Sequence, residues 1–216
     1  MDNLFEEKGY KVIDLNLEVE DLIVENFEDM IKMQSIKQMT IPVKMTPEEA
    51  DLFYHKYNLF SHIYQFAPLT TPVGSIPVVT IPPLNIHMEK LSSIVHRDYL
   101  TSIVEKEIDL KIIPTFCYTR KYFQGSVLNS HVDRDACEIS LTYCISGPEW
   151  EIEMGDTTII TKKGSGIIYK GCETEHGRSK PSSGEVIQLF AHWVISDGTR
   201  LNSAYDGGRN KNFYTV

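Results

Sequence analysis

The sequence predicts an α+β fold that is mostly β, with a helical N-terminal half supporting an antiparallel β sandwich or barrel. Three observations carry this. From Ile112 onward, Phe116, Tyr118, Arg120 and Tyr122 open a stretch of alternating side chains. Gly125, Gly147, Gly155, Gly164, Gly166 and Gly184 then punctuate the chain at strand-like intervals. Before that stretch, apolar residues recur at helical spacing instead.

The N-terminal elements follow from that spacing. Leu22, Ile23, Phe27, Met30 and Ile31 predict an amphipathic helix from Glu20 to about Gln38. Thr46-Pro47-Glu48-Glu49 combines an N-cap residue, a proline at the first helical position and acids in the first turn, and Phe53, Tyr57, Phe60 and Tyr64 then share a face. A second helix is therefore expected over about Thr46 to Phe66. Between Ala67 and Asn85, five prolines among β-branched residues predict an extended segment at a sheet edge, because proline cannot donate to a ladder. A third helix is expected from about His87 to Lys106, a β sandwich from Lys111 to Ser196, and a loop-rich tail from Asp197 to Val216.

A chain of 216 residues fits one domain, 1–216, divided into helical support (1–110), β core (111–196) and tail (197–216). With 42% hydrophobic and 24% charged residues it is neither disordered nor collagen-like nor membrane-embedded. The net charge of −9 argues against a sequence-independent grip on phosphate backbones, so no nucleic-acid partner is expected. The first residues, Met1-Asp2-Asn3-Leu4-Phe5-Glu6-Glu7, lack the basic and apolar regions of a signal peptide, and no apolar run reaches the roughly 18 residues of a membrane span. A cytoplasmic location without a membrane partner is expected. Cys117, Cys137, Cys144 and Cys172 form no C-x-x-C pair and read as reduced thiols.

Of the seven histidines, His131 stands two residues from a carboxylate within a predicted strand, in His131-Val132-Asp133. Side chains at i and i+2 of a strand point the same way, so His131 and Asp133 can converge on one metal ion. His176 follows the predicted strand Ile167 to Lys170, which in an antiparallel sandwich can lie beside the first. Two imidazoles and a carboxylate on one face of a metal leave positions open, which suits non-haem Fe(II) and oxygen chemistry.

The surrounding residues add a resemblance. Tyr122-Phe-Gln-Gly125-Ser-Val-Leu128-Asn-Ser-His131-Val-Asp133 resembles the Y-x-x-G-x-x-[YL]-x-x-H-x-D segment of prolyl-4-hydroxylase-like Fe(II)/2-oxoglutarate-dependent dioxygenases. Gly164-Ser-Gly-Ile-Ile-Tyr169-Lys-Gly171-Cys-Glu-Thr-Glu-His176 is similar to that superfamily's strand leading into the distal histidine, and Gly184 to Trp193 to its last core strand. The resemblance implies a double-stranded β-helix (jelly-roll, cupin-like) core. Fe(II) would be held by His131, Asp133 and His176, with 2-oxoglutarate and O2 in the open positions. The implied activity is hydroxylation of an unactivated C–H bond, of a prolyl or other amino-acid side chain or of a small molecule, coupled to decarboxylation of 2-oxoglutarate to succinate. No side chain beyond the metal ligands needs to be catalytic.

Tyr122 and Tyr143 match family tyrosines that contact 2-oxoglutarate. The sequence departs from the family on the strand after the distal histidine, where an Arg or Lys usually stands and this chain has Glu185, Val186 and Ile187. Arg178, then Arg120, with Lys180 third, are the cations available for the co-substrate's distal carboxylate. The missing cation leaves a second reading open, a cupin-type protein that binds a metal or small ligand without turnover. Arg134 is expected either to pair with Asp135 or Glu138 or to reach substrate, and His192 reads as a satisfied strand histidine. Glu149, Glu151, Glu153 and Asp156 read as a solvated face.

Overall fold

The protein's structure, a computed structural model, describes residues 4–15, 64–66, 77–81, 100–122 and 124–207. The chain opens with a short helix, α1 (Leu4–Lys8), and a strand, β1 (Tyr10–Asp14). Then come β2 (Tyr64–Phe66), β3 (Pro77–Ile81) and helix α2 (Thr101–Ile108). The remaining strands are β4 (Ile112–Tyr122), β5 (Leu128–His131), β6 (Ile139–Ser146), β7 (Trp150–Met154), β8 (Thr157–Thr161), β9 (Ser165–Tyr169), β10 (His176–Arg178) and β11 (Val186–Ile195). Short 3₁₀ segments cover Asp135–Cys137 and Leu201–Asp206.

The strands form two antiparallel sheets, one of seven in the order β1-β9-β6-β11-β4-β3-β2 and one of four in the order β5-β10-β7-β8. This is the mostly β, jelly-roll architecture expected, with strands filling Ile112 to Ile195. The large sheet is covered on both faces, so β6 and β11 are buried almost throughout. On the outer face Ile139, Leu141, Tyr143 and Ile145 pack with Leu189, Ala191 and Trp193 against Leu100, Val104 and Ile108 of the α2 segment. Trp193 Nε1 donates to Thr101 Oγ1 at 2.9 Å and ties that layer together. On the inner face, toward the small sheet, lie Tyr122, Cys144, Trp150, Val186 and Phe190 at one end and Tyr10, Ile152, Met154, Ile167 and Tyr169 at the other. Strand β7 alternates as its sequence dictates, with Trp150, Ile152 and Met154 inward and Glu151 and Glu153 outward.

Three N-terminal expectations change. Tyr10–Asp14, assigned to helical support, is a strand paired with β9 from Tyr10↔Tyr169 to Asp14↔Ser165. Tyr64–Phe66, expected to end the second helix, is the edge strand β2, and the proline-containing Pro77–Ile81 lies between it and β4. Pairing with distant strands overrides local propensity at both places. The third helix runs on to Ile108 and stops at Asp109, in the left-handed conformation with φ 55°. The expected helix at Glu20 to Gln38, most of that at Thr46 to Phe66 and the start of that at His87 lie outside the described residues. Among the described residues no helix is long and apolar enough to cross a membrane.

Candidate metal centre

Strands β5 and β10 are neighbours, and their register places His176 directly opposite His131. The two rings sit 4.4 Å apart by centroid. Asp133 lies just beyond β5, where its N–H donates to Gly171 O at 2.8 Å, so the turn after β9 sets the carboxylate's position. Asp133 Oδ1 is 3.6 Å from His131 Nε2 and 3.7 Å from His176 Nε2. Val132, between the two candidate ligands, faces solvent.

Each imidazole is held by its far nitrogen. His131 Nδ1 lies 2.8 Å from Asn129 O and His176 Nδ1 2.9 Å from Thr174 O. A carbonyl can only accept, so each Nδ1 carries the proton and each Nε2 turns a lone pair toward the common point. Asp133 Oδ2 is held by Ser140 Oγ at 3.2 Å, and Ser140 Oγ lies 2.9 Å from His192 Nδ1. Burial would raise the Asp133 carboxyl, yet His131 and the neighbouring imidazoles hold it below the ordinary value. The contact with Asp133 raises the His131 pKa, burial lowers that of His176, and burial pushes the His192 imidazole down to about 4, so that it stands neutral. Two imidazoles and a carboxylate, their donor atoms within 4.8 Å of one another, form a set that could hold a divalent transition metal.

The same cavity between the sheets is lined by Tyr122, Arg120, Arg178, Thr142, Phe190 and His192. Of the residues singled out for the distal carboxylate, Tyr122, Arg120 and Arg178 are therefore beside the trio. Arg120 Nη1 donates to Tyr122 Oη at 3.0 Å. Lys180 is not there: it is exposed and paired with Glu151 at 2.6 Å. Arg134 pairs with Asp206 at 2.9 Å and stacks over Phe116, while Asp135 and Glu138 are engaged by Arg200.

Tyr143 requires correction. It lies on the outer face of β6, fully buried against the helical layer, and its hydroxyl donates to Leu15 O at 3.2 Å. Strand alternation explains this: Ile139, Leu141, Tyr143 and Ile145 share the apolar outer face, whereas on the other face Thr142 lines the cavity and Ser140 reaches Asp133. Thr142, Ser140 and His192 are the site residues that sequence reasoning missed. Their signal was the polar parity of β6 and of Gln188 and His192 in β11, strands otherwise apolar.

No protein-family model and no curated protein matches this sequence. Solved structures do match. An oxidoreductase of the 2OG-Fe(II) oxygenase family from Burkholderia pseudomallei is 11% identical over 91% of this chain and 90% of that chain, with a TM-score of 0.57. A prolyl hydroxylase from Trichoplax adhaerens, in complex with a hypoxia inducible factor oxygen degradation domain peptide fragment, is 12% identical over 94% and 90%, with a TM-score of 0.55. HygX from Streptomyces hygroscopicus, with nickel and 2-oxoglutarate bound, is 10% identical over 91% and 86%, with a TM-score of 0.54. The chain thus has the fold of these oxygenases.

Proposed function

We propose that this chain, which shares the fold of 2OG-Fe(II) oxygenases, is itself an Fe(II)- and 2-oxoglutarate-dependent oxygenase that hydroxylates an unactivated C–H bond. The observation that carries the reading is the convergence of His131 Nε2, His176 Nε2 and Asp133 Oδ1 in a cavity between the two sheets. The residues fit the metal. Both tautomers are set by backbone carbonyls, and the carboxylate is anchored through its other oxygen.

Iron and 2-oxoglutarate, when bound, supply the oxidative chemistry in which O2, 2-oxoglutarate and R–H become succinate, CO2 and R–OH. The chain's own part is to bind and orient. Asn129 and Thr174 carbonyls keep the imidazole lone pairs aimed inward, Ser140 keeps Asp133 from rotating, and Leu128, Ile152 and Phe190 give the cavity apolar walls that limit water. No side chain has to act as acid, base or nucleophile.

A peptidyl prolyl or other amino-acid side chain is the substrate class we favour, on the resemblance of the Tyr122–Asp133 segment and on the peptide held by the Trichoplax adhaerens fold neighbour. The four cysteines are free thiols, which suits a reducing compartment such as the cytoplasm. The rival reading, a cupin-type binding protein, leaned on the absence of a cation on β11. Arg178 on β10 lines the same cavity and weakens that case.

The test is direct. Under anaerobic conditions Fe(II) and 2-oxoglutarate should produce a weak visible metal-to-ligand band, and oxygen should then yield succinate. If neither occurs at saturating 2-oxoglutarate, the reading is wrong.

A further inference from the structure

Strand β8 closes the four-stranded sheet at the end away from His131, and among the described residues it pairs with β7 alone. All five of its residues, Thr157 to Thr161, are β-branched, and no charge, proline or glycine interrupts them. Those interruptions are what normally keep an edge strand from pairing with another chain. Ile160 is the most exposed large apolar side chain among the described residues, at 59%. A bare edge of this composition is a template for a partner strand.

The hairpin fixes which backbone groups that edge presents. Gly155-Asp156 is a two-residue turn with Gly155 at φ 55°, as the first position of a type II′ turn requires, and it closes on the pair Met154↔Thr157. Such a closing pair exchanges both hydrogen bonds, and bonded pairs alternate along an antiparallel ladder. Thr157, Ile159 and Thr161 therefore turn their N–H and C=O groups toward β7, whereas Thr158 and Ile160 turn theirs outward. The far side of β7 agrees. Gly155 N–H donates to Glu175 O at 2.8 Å, so Gly155, and Glu153 with it, faces β10 and leaves Met154 and Ile152 to β8.

An antiparallel partner sets outward-facing residues opposite one another, so a second copy of β8 fits only where the two-fold axis passes through a residue of the strand. With the axis at Ile159, Thr158 of each copy exchanges bonds with Ile160 of the other, and Ile159 meets its own counterpart. The same register sets Asp156 of each copy opposite Lys162 of the other. Both side chains are exposed, and neither forms an ion pair among the described residues. Moving the axis to Thr158 or to Ile160 would set Asp156 against Ile160 or Gly164 and lose both charge pairs. The charges flanking β8 thus complement a second copy of this chain in a single register.

We propose that β8 is an interface for a second copy of this chain: two β8 strands pair antiparallel about an axis at Ile159, the two small sheets become one continuous sheet, and Asp156–Lys162 ion pairs close both ends. The metal trio stands on β5, on β10 and just beyond β5, so the pairing leaves it untouched and does not depend on the oxygenase reading.

A single strand pair buries less than the roughly 1,200 Å² of a stable complex, so the dimer is weak and concentration-dependent. Sedimentation equilibrium of the full chain from about 1 μM to 1 mM should show a reversible monomer–dimer equilibrium. Thr158→Pro removes only an outward N–H, which an edge strand tolerates, and should weaken dimerisation about 30-fold, the loss of one bond from each copy. Asp156→Lys and Lys162→Asp each turn both attractive pairs into repulsive ones and should each weaken it about tenfold. Mixed in equal amounts, those two variants carry opposite charges at both contacts and should pair with each other as tightly as the native protein does with itself. Circular dichroism checks that each variant is folded, and the two charge variants decide the matter if Thr158→Pro is not. A native protein that stays monomeric over the whole range overturns the proposal. So does a dimer indifferent to the substitutions, a mixture that yields no heterodimer, or association beyond two, because a two-fold pairing uses up the edge.

Discussion

Gly171 carries Asp133: the Asp133 N–H donates to Gly171 O at 2.8 Å, and a Cβ on Gly171 would fall 2.7 Å from Asp133 Oδ2 and 2.2 Å from Cys137 O. The glycine is there for room, because its φ is not in the left-handed region. Gly171→Ala must push the carboxylate or the Asp133–Ser140 backbone aside. Overpacking of this kind costs about 1–3 kcal/mol, a fall of several degrees in Tm for a domain of this size. Metal affinity should fall by at least about tenfold. Calorimetric titration with Mn(II) or anaerobic Fe(II) measures it, and native affinity in the variant would contradict the close contact.

Ser140 joins Asp133 Oδ2 to the neutral His192. Ser140→Ala frees the carboxylate to rotate, so metal affinity should drop about 10- to 100-fold while the circular dichroism spectrum stays native. An affinity equal to that of the native protein would show that Asp133 needs no such support.

His131→Ala and Asp133→Ala each remove a candidate ligand but leave the β5–β10 backbone pairing in place. In the native protein, Ni(II) at about 100 times its Kd should stabilise the fold by roughly 2.7 kcal/mol, and a chelator should reverse this. Neither variant should respond to metal or chelator. A thermal shift that survives in both would move the metal to another site.

The two tyrosines separate sharply. Tyr143→Phe removes the bond to Leu15 O and should cost about 1 kcal/mol in urea unfolding, with no change in 2-oxoglutarate binding. Tyr122→Phe should show the converse. Weaker co-substrate binding in Tyr143→Phe would mean that the outer face of β6 communicates with the cavity.

Much of the β core was legible because strand alternation and glycine punctuation are local. The boundaries at Ile112 and at Ile195 follow from them directly. The same periodicity assigns Tyr143 to the apolar face of β6, and family resemblance misled where parity would have served. Strands β1 and β2 were not legible: Tyr10–Asp14 and Tyr64–Phe66 are too short to declare a period, and each exists through its partner, β9 or β3.

By itself the sequence determined that an antiparallel sandwich follows Ile112, a consequence of a two-residue repeat, and that His131 and Asp133 stand close enough in the chain to meet, although Asp133 lies just past the end of β5. Only the tertiary structure decided that His176 sits opposite His131, that Ser140 and His192 brace the carboxylate, and that Arg178 lies buried without an anion of its own. The physical reason is that a residue's neighbours across a sheet, and the charge left unbalanced among them, depend on which distant strands pair, and no local repeat encodes that.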